Sequence, residues 1–166
     1  GRRFRRQPPF VFFVSFVVQS VSYADENGQQ EEQALTVMGH ARIPAEVEQA
    51  AHEIIGAAIE VHRHLGPGFL ESVYERAMVH EMTLRGLTVH QQYPVTLLYK
   101  ELRIGGQRID LLVEPGVIVE LKAIDCLLPI HEAQVLSYLR TAGYRLGLLI
   151  NFNTTMLKKG IKRIVY

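Results

Sequence analysis

The stretch of residues 109–123 constrains the fold of this 166-residue chain more than any other. It consists of two apolar runs separated by residues 114–116, Glu-Pro-Gly, a sequence typical of a tight turn. Such runs predict two buried strands that pair as an antiparallel hairpin. Asp110, Glu120 and Lys122 interrupt the runs, and unpaired charge in an apolar centre is costly in free energy. These three side chains therefore need a structural or functional reason.

Helical and strand patterns surround this hairpin. Apolar residues at three- and four-residue spacing predict helices, each followed by a glycine, over residues 44–65, 70–85 and 130–142. Period-two or short apolar runs predict strands over 89–99, 102–113, 117–123 and 144–151, then a short helix over 157–160 and an edge strand over 161–166. The adjacent glycines Gly105 and Gly106 predict a bulge or tight bend. This order predicts an α/β fold, with a mixed sheet flanked by helices.

The N-terminal forty residues differ from the rest of the chain. Four arginines precede an apolar run over residues 10–18, and small polar residues follow as far as Ala24, which is the layout of a secretory signal. The run is too short to span a bilayer as a helix, and residues 25–33 have the acidic, glutamine-rich composition of a disordered linker. We therefore predict a signal-like or non-native, disordered extension over residues 1–40 and a folded domain over residues 41–166.

Two compartments remain open for the protein. The sequence begins with glycine, and Met38 lies just ahead of the first predicted helix. We favour Met38 as the natural start, which predicts a cytoplasmic protein with no membrane association of the core domain. If the N-terminal segment is instead a true export signal, the protein is exported.

Composition excludes some kinds of site. The single cysteine, Cys126, excludes an internal disulfide framework and a multi-cysteine zinc or iron–sulfur site. A net charge of +1 gives no broad basic field that would attract nucleic acid from a distance. A local basic cluster does occur near the end of the chain, at Lys158, Lys159, Lys162 and Arg163. It is either a solvated face or a surface that contacts phosphate.

The hairpin places two carboxylates together. Asp110 and Glu120 are equally far from Pro115 in sequence, so we expect them to be near-opposite neighbours. Adjacent carboxylates repel one another unless a cation lies between them, and few hard oxygen ligands favour Mg²⁺ or Mn²⁺ over zinc. Lys122 projects on the same side as Glu120 and could stabilise charge developing on a phosphate. The alternative is an ion-pair cluster on a half-exposed hairpin.

Two helices supply further candidate residues. Glu71 begins the second predicted helix and shares a face with Tyr74, although a glutamate in a first turn also simply stabilises the helix N-terminus. Gln134 and Tyr138 are four residues apart on the helix that follows the third strand, where they could lean over the strand ends. Both could also be ordinary surface residues.

The ordered motifs resemble a known family. Residues 68–74, Gly-Phe-Leu-Glu-Ser-Val-Tyr, match the GxxExxY signature of a family of small bacterial proteins. Further segments of that family are matched by residues 108–113, 118–123, 131–134 and 148–153. The family is similar to the PD-(D/E)XK superfamily, which has the restriction-endonuclease-like fold, and the resemblance covers about residues 54–165. It implies a core of helix, three strands, helix and strand.

The resemblance also implies roles for individual residues. Asp110 and Glu120 correspond to the superfamily's metal ligands and Lys122 to its catalytic lysine. Ile109 replaces the proline that usually precedes the aspartate. We assign catalysis to Lys122, Glu71 and Gln134, and substrate binding to Tyr74, Tyr138, Lys158 and Lys159.

The predicted function is cleavage of nucleic acid, with DNA favoured as the substrate, by a Mg²⁺- or Mn²⁺-dependent nuclease. A homodimer is the candidate assembly, since many enzymes that cut duplexes act in pairs. The alternatives are a catalytically inactive nucleic-acid-binding module and a protein-interaction module on the same fold, because fold alone does not determine function.

Overall fold

The computed structural model of the protein describes residues 42–166. The extension predicted over residues 1–40 lies outside the described residues. The elements in chain order are α1 (Ala45–Leu65), α2 (Glu71–Leu84), β1 (Val89–Tyr99), β2 (Leu102–Val113), β3 (Val117–Lys122), α3 (Pro129–Ala142), β4 (Leu146–Asn151), α4 (Leu157–Gly160) and β5 (Ile161–Val165). This order confirms the predicted α/β fold, a mixed sheet with helices before, between and after the strands.

Proline and glycine set the helix ends. α1 follows Pro44 and stops at Gly66, whose N–H donates a hydrogen bond to the carbonyl of His62 at 2.8 Å. α3 begins at Pro129 and ends before Gly143, which has a φ angle of 75°. This left-handed conformation is costly for a residue with a Cβ atom, so glycine is well suited to end the helix there.

α1 is an amphipathic helix of 21 residues. Its inner side buries small and branched apolar residues, including Ala50, Ile54 and Ala57, while Glu46 and Glu48 lie in its exposed first turn. Across residues 42–166, no helix combines the length and the apolar content that crossing a membrane requires.

The five strands form one mixed sheet in the order β1-β2-β3-β4-β5. β3 and β4 are parallel, with α3 as the connection between them, and the other neighbouring strands are antiparallel. In the β2–β3 hairpin, Val113 pairs with Val117 and Leu111 with Val119. This register is symmetric about Pro115, as predicted from the sequence.

Both faces of the sheet are covered by helices. Leu111 and Val119 contribute to a core shared with α1 and α2, whereas Leu112 and Ile118 contribute to a second core with α3. Neighbouring residues of one strand thus enter different cores, which explains why β2 and β3 contain continuous apolar runs rather than alternating ones. A carboxylate on β3 is therefore enclosed by apolar layers.

The β1–β2 hairpin bends at the predicted glycine pair. Val95 pairs with Gln107 but Leu97 pairs with Ile104, so β2 has one extra residue at this point. Gly106 has a φ angle of 95° there, a conformation open to glycine at little cost. The prediction of a bulge is confirmed.

Candidate metal centre

Asp110 lies on β2 where the pairing with β3 ends. The last paired residues on this side of the hairpin are Leu111 and Val119, so the register places Asp110 across from Glu120. Oδ2 of Asp110 accepts a hydrogen bond from the main-chain N–H of Leu121 at 2.9 Å. The carboxylate thus satisfies a main-chain group of β3, and this bond holds it next to Glu120.

Glu120 is a buried carboxylate with one satisfied oxygen. Its residue exposure is 2%, and its Oε1 accepts a hydrogen bond from Nζ of Lys122 at 2.7 Å. Its Oε2 is buried without a hydrogen-bond partner among the described residues. Since a buried acceptor without a partner is costly, this oxygen is suited to bind a ligand.

The pKa of Glu120 reflects its surroundings. Burial raises it from its usual value of 4.5, the negative charge of Asp110 raises it further, and the hydrogen bond from Lys122 lowers it, with a result of about 7. Burial also raises the pKa of Asp110, against the effects of the Leu121 N–H and of Lys122. The negative charges of both carboxylates are therefore only partly offset by neighbouring groups, as expected of groups that hold a cation.

Glu71 joins the same group of charges from α2. Burial raises its pKa, the Lys122 ammonium lowers it, and the charge of Asp110 raises it. A hydrogen bond from the main chain of Ala123, directly after β3, also stabilises its ionised form. The start of α2 thus places Glu71 at the end of β3, close to the carboxylates of the hairpin.

Lys122 is the cation within this group. Burial lowers its pKa, but the hydrogen bond to Glu120 and the charges of Glu120, Glu71 and Asp110 raise it more, so the net direction is upward. The ammonium therefore stays protonated near neutral pH. The structure brings together Glu71, Asp110, Glu120 and Lys122, four of the residues that the sequence assigned to the site.

The donor set fits a hard divalent ion. Asp110 and Glu120 supply carboxylate oxygens, and the Oε2 of Glu120 has no competing partner. Within residues 42–166, no three side chains of the His, Cys, Asp or Glu type are arranged to hold an ion by themselves. A cation between Asp110 and Glu120 would take its remaining ligands from the main chain, water or substrate, as Mg²⁺ commonly does.

Tyr74 anchors the loop that leads into α2. Its side chain has no exposed surface, and its hydroxyl donates to the carbonyl of Gly66 at 2.7 Å and accepts from the N–H of Phe69 at 3.2 Å. Its ring stacks on Phe152, with centroids 4.4 Å apart. Tyr74 therefore orients the first turn of α2, which carries Glu71. Its burial gives no support to a substrate contact, which stays a prediction.

Removing the hydroxyl of Tyr74 tests this anchoring role. In Tyr74→Phe, the Gly66 carbonyl and the Phe69 N–H lose their shared partner while the stacked ring remains. We expect the free energy of unfolding to fall by about 1–2 kcal/mol. Urea unfolding measures the change, with Tyr166→Phe, at an exposed position, as the control. Equal stabilities of the two variants would contradict the anchoring role.

Gln134 and Tyr138 bond to each other and to β2. Nε2 of Gln134 donates to the hydroxyl of Tyr138 at 3.0 Å, and that hydroxyl lies 3.4 Å from Oε1 of Gln107. Their hydrogen bonds thus link α3 to β2 three residues before Asp110. Lys158 and Lys159 lie exposed on α4. The predicted roles of these four residues in catalysis or substrate binding remain predictions.

Asn151 is a residue to which the sequence analysis assigned no role. It is buried, and its Oδ1 accepts from the N–H of Ile124 at 3.1 Å while its Nδ2 donates to the carbonyl of Ile124 at 2.7 Å. The N–H of Phe152 also donates to the carbonyl of Lys122 at 2.8 Å. These bonds fasten the chain after β3 to the end of β4 and so hold Lys122 in place. In the sequence, Asn151 could have been recognised as a polar residue at the end of an otherwise apolar strand.

Truncating Asn151 tests this fastening. In Asn151→Ala, both main-chain groups of Ile124 lose their partner in a part-buried place, so we expect the free energy of unfolding to fall by about 2–3 kcal/mol. Thermal or urea unfolding measures it, and Asn153→Ala, a less buried neighbour, is the control. A loss no larger than that of the control would show that Asn151 does not fasten this segment.

Comparison with known proteins identifies the family. A family model described as the PD-(D/E)XK nuclease superfamily matches residues 48–164 of this chain. The chain belongs to this superfamily. The match includes the whole hairpin and the ends of α2 and β3, so the PD-(D/E)XK domain contains all four residues of the charged group. Nucleases of the superfamily generally use divalent metals such as Mg²⁺ or Mn²⁺.

Other comparisons add little to the PD-(D/E)XK assignment. No curated protein matches the chain. The crystal structure of SSO0001 is similar to it with 10% sequence identity and a TM-score of 0.37, over 81% of this chain and 74% of that one. A likeness this low carries no argument about fold or function.

Proposed function

We propose that this PD-(D/E)XK protein is a Mg²⁺- or Mn²⁺-dependent nuclease that hydrolyses phosphodiester bonds of DNA, and that it is of the GxxExxY type. One observation carries the proposal. The carboxylate of Asp110 is hydrogen-bonded across the hairpin to β3, beside a buried Glu120 whose Oε2 has no partner among the described residues. The pKa values of both carboxylates are raised, that of Glu120 partly by the negative charge of Asp110. Such a pair is costly to stability and becomes favourable with a cation between the two groups.

Asp110 and Glu120 are the residues that would hold the ion. Once bound, the ion supplies Lewis acidity, which lowers the pKa of water and offsets negative charge on phosphate oxygens. The hydrogen bond from Leu121 fixes the Asp110 carboxylate in advance, and the enclosing apolar layers fix Glu120. Both ligands are therefore held on rigid strands rather than on loops, which favours a preorganised site.

Lys122 is the residue that supplies positive charge to the site. Its ammonium is held by Oε1 of Glu120 at 2.7 Å and stays protonated. From this position it stabilises the negative charge that builds up on a phosphate during hydrolysis. Glu71, whose ionised form the main chain of Ala123 stabilises, is proposed to orient the attacking water by accepting its hydrogen bond.

Exposed cations support a nucleic-acid substrate, and DNA is our proposal for it. Lys158 and Lys159 are exposed on α4, whereas Lys162 and Arg163 on β5 pair with Glu132 and Glu48. Lys158 and Lys159 are therefore the cations proposed to contact the phosphates of the backbone. Gln134 and Tyr138 on α3 are proposed to assist at the scissile nucleotide.

Cleavage by the purified full chain tests the proposal. Supercoiled and linear DNA and single-stranded RNA are incubated with Mg²⁺ or Mn²⁺, and the variant Lys122→Met is compared with Lys100→Met, at the exposed β1–β2 turn. We expect metal-dependent cleavage of DNA, a loss on the order of 10²–10³-fold in Lys122→Met and no loss in the control. Absence of cleavage of every substrate, or cleavage that is indifferent to Lys122 and to chelation of metal, would overturn it.

A further inference from the structure

Gln92 is a residue of β1 with an unusual backbone. Its φ angle is 52°, in the left-handed region that is unfavourable for a residue with a Cβ atom. It lies in the middle of a strand, where extended conformations are the rule. Gln91 pairs with Leu111 and Tyr93 pairs with Ile109, while Gln92 and Asp110, the residues between them, are missing from the regular pairing. The strand is thus distorted at the residue that faces Asp110.

The side chain of Gln92 bonds to one carboxylate and acts electrostatically on a second. Its Nε2 donates to Oε1 of Glu75 at 2.7 Å. Asp110 lies on the facing strand, and the amide of Gln92 stabilises its ionised form and so lowers its pKa. Because an ionised carboxylate only accepts hydrogen bonds, the amide interacts with both carboxylates through its N–H groups. The bond to Glu75 therefore helps to set the orientation that the amide presents to Asp110.

Glu75 lies one helical turn after Glu71 on α2. The Glu75–Gln92–Asp110 chain therefore connects α2, β1 and β2, while the bond from Leu121 connects Asp110 to β3. The Asp110 carboxylate is held from both sides. Partners that orient a ligating carboxylate in this way tune metal affinity without touching the metal.

We propose that Gln92 is a positioning residue that orients the carboxylate of Asp110 for cation binding, and that the left-handed backbone of β1 exists to aim its amide at that carboxylate. The inference rests on the proposed function, since it takes Asp110 as a metal ligand. Strain in a protein persists only where the surrounding structure enforces it, and it concentrates at functional sites. At Gln92, the group that benefits from the unusual backbone is the carboxylate of Asp110.

Two substitutions separate the amide from the backbone conformation. Gln92→Leu removes the amide with its hydrogen bond to Glu75 and keeps a side chain of similar size. Gln92→Gly removes the amide too, but it adopts the left-handed conformation without strain, so it keeps the protein folded even if leucine does not. Gln91→Leu is the matched control, because Gln91 is exposed and pairs regularly with Leu111.

Mn²⁺ binding by the full chain, followed by electron paramagnetic resonance, provides a readout apart from activity. We expect the dissociation constant for Mn²⁺ to rise about 10-fold or more in Gln92→Leu and Gln92→Gly, with no change in Gln91→Leu. The Mn²⁺ concentration for half-maximal cleavage should rise in parallel, while the rate at saturating Mn²⁺ recovers. A purely structural residue would not produce that recovery.

The outcomes distinguish this inference from the function it rests on. If wild type binds Mn²⁺, Asp110→Asn does not, and Gln92→Gly binds like wild type, the positioning role is overturned while the metal site stands. If wild type binds no Mn²⁺, both are overturned. Weakened binding in both Gln92 variants, with the control unchanged, supports the positioning role.

Discussion

Asp110→Asn is expected to lower metal-dependent cleavage by on the order of 10³-fold, since loss of a charged metal ligand removes several kcal/mol of transition-state stabilisation. The substitution is nearly isosteric, and the amide oxygen of asparagine can still accept the hydrogen bond from the N–H of Leu121 that Asp110 accepts. The fold should therefore be retained. Single-turnover cleavage of a labelled DNA duplex at saturating Mg²⁺ measures the effect.

The control for this substitution is Asp125→Asn. Asp125 is an exposed carboxylate in the segment that follows β3. It has the same charge as Asp110 and lies near Lys122 in sequence, but it is not buried. We expect its cleavage rate to match that of wild type. A cleavage rate for Asp110→Asn that stays near that of wild type would show that Asp110 does not hold the catalytic ion.

Glu120→Gln is expected to stabilise the metal-free protein at alkaline pH. The pKa of Glu120 is raised from 4.5 to about 7 in the folded protein, so the folded state holds a proton that the unfolded state has released. The contribution of Glu120 to stability is therefore greatest below pH 4.5, falls as the pH rises to about 7, and stays lower above it. Above that window, the ionised carboxyl costs roughly 3 kcal/mol, and glutamine removes this cost.

Urea unfolding in the presence of a chelator measures this difference. At pH 8, Glu120→Gln should be more stable than wild type by about 3 kcal/mol, and near pH 4 the two should be equal. Adding Mn²⁺ at pH 8 should stabilise wild type and leave Glu120→Gln unchanged. The control is Glu101→Gln, at the exposed β1–β2 turn. A variant less stable than wild type at pH 8 would mean that the ion pair with Lys122 outweighs the burial of the charge.

The β2–β3 hairpin was predictable because its causes are local. The turn residues and the symmetric spacing about Pro115 determine which residues of two adjacent strands face each other. The position of Asp110 across from Glu120 follows from counting alone. The helix ends at Gly66 and Gly143 were predictable for the same reason, since a left-handed residue is recognisable within a few positions.

Contacts between distant segments were not predictable in the same way. Helical spacing places Tyr74 on the face of Glu71, but the stacking of its ring on Phe152, far along the chain, decides that it is buried. Asn151 bonds directly to Ile124, which lies 27 residues earlier, on the other side of the helix that connects β3 to β4. Sequence periodicity shows which face a residue occupies, and it does not show which polar atoms meet there.

Backbone distortion was also beyond the sequence pattern. Gln92 has the composition and spacing of an ordinary strand residue, and glutamine has no preference for a positive φ angle. We attribute its conformation to the interaction of its amide with two carboxylates, one on α2 and one on β2. Only the three-dimensional meeting of these elements reveals it.

The most direct measurement is a calorimetric titration of Mn²⁺ into the wild-type protein, Asp110→Asn and Asp125→Asn at neutral pH. We expect saturable binding to wild type and to Asp125→Asn, with the heat of binding lost in Asp110→Asn. The same isotherm for all three proteins, or none for wild type, would contradict the claim that Asp110 and Glu120 share a cation across the hairpin.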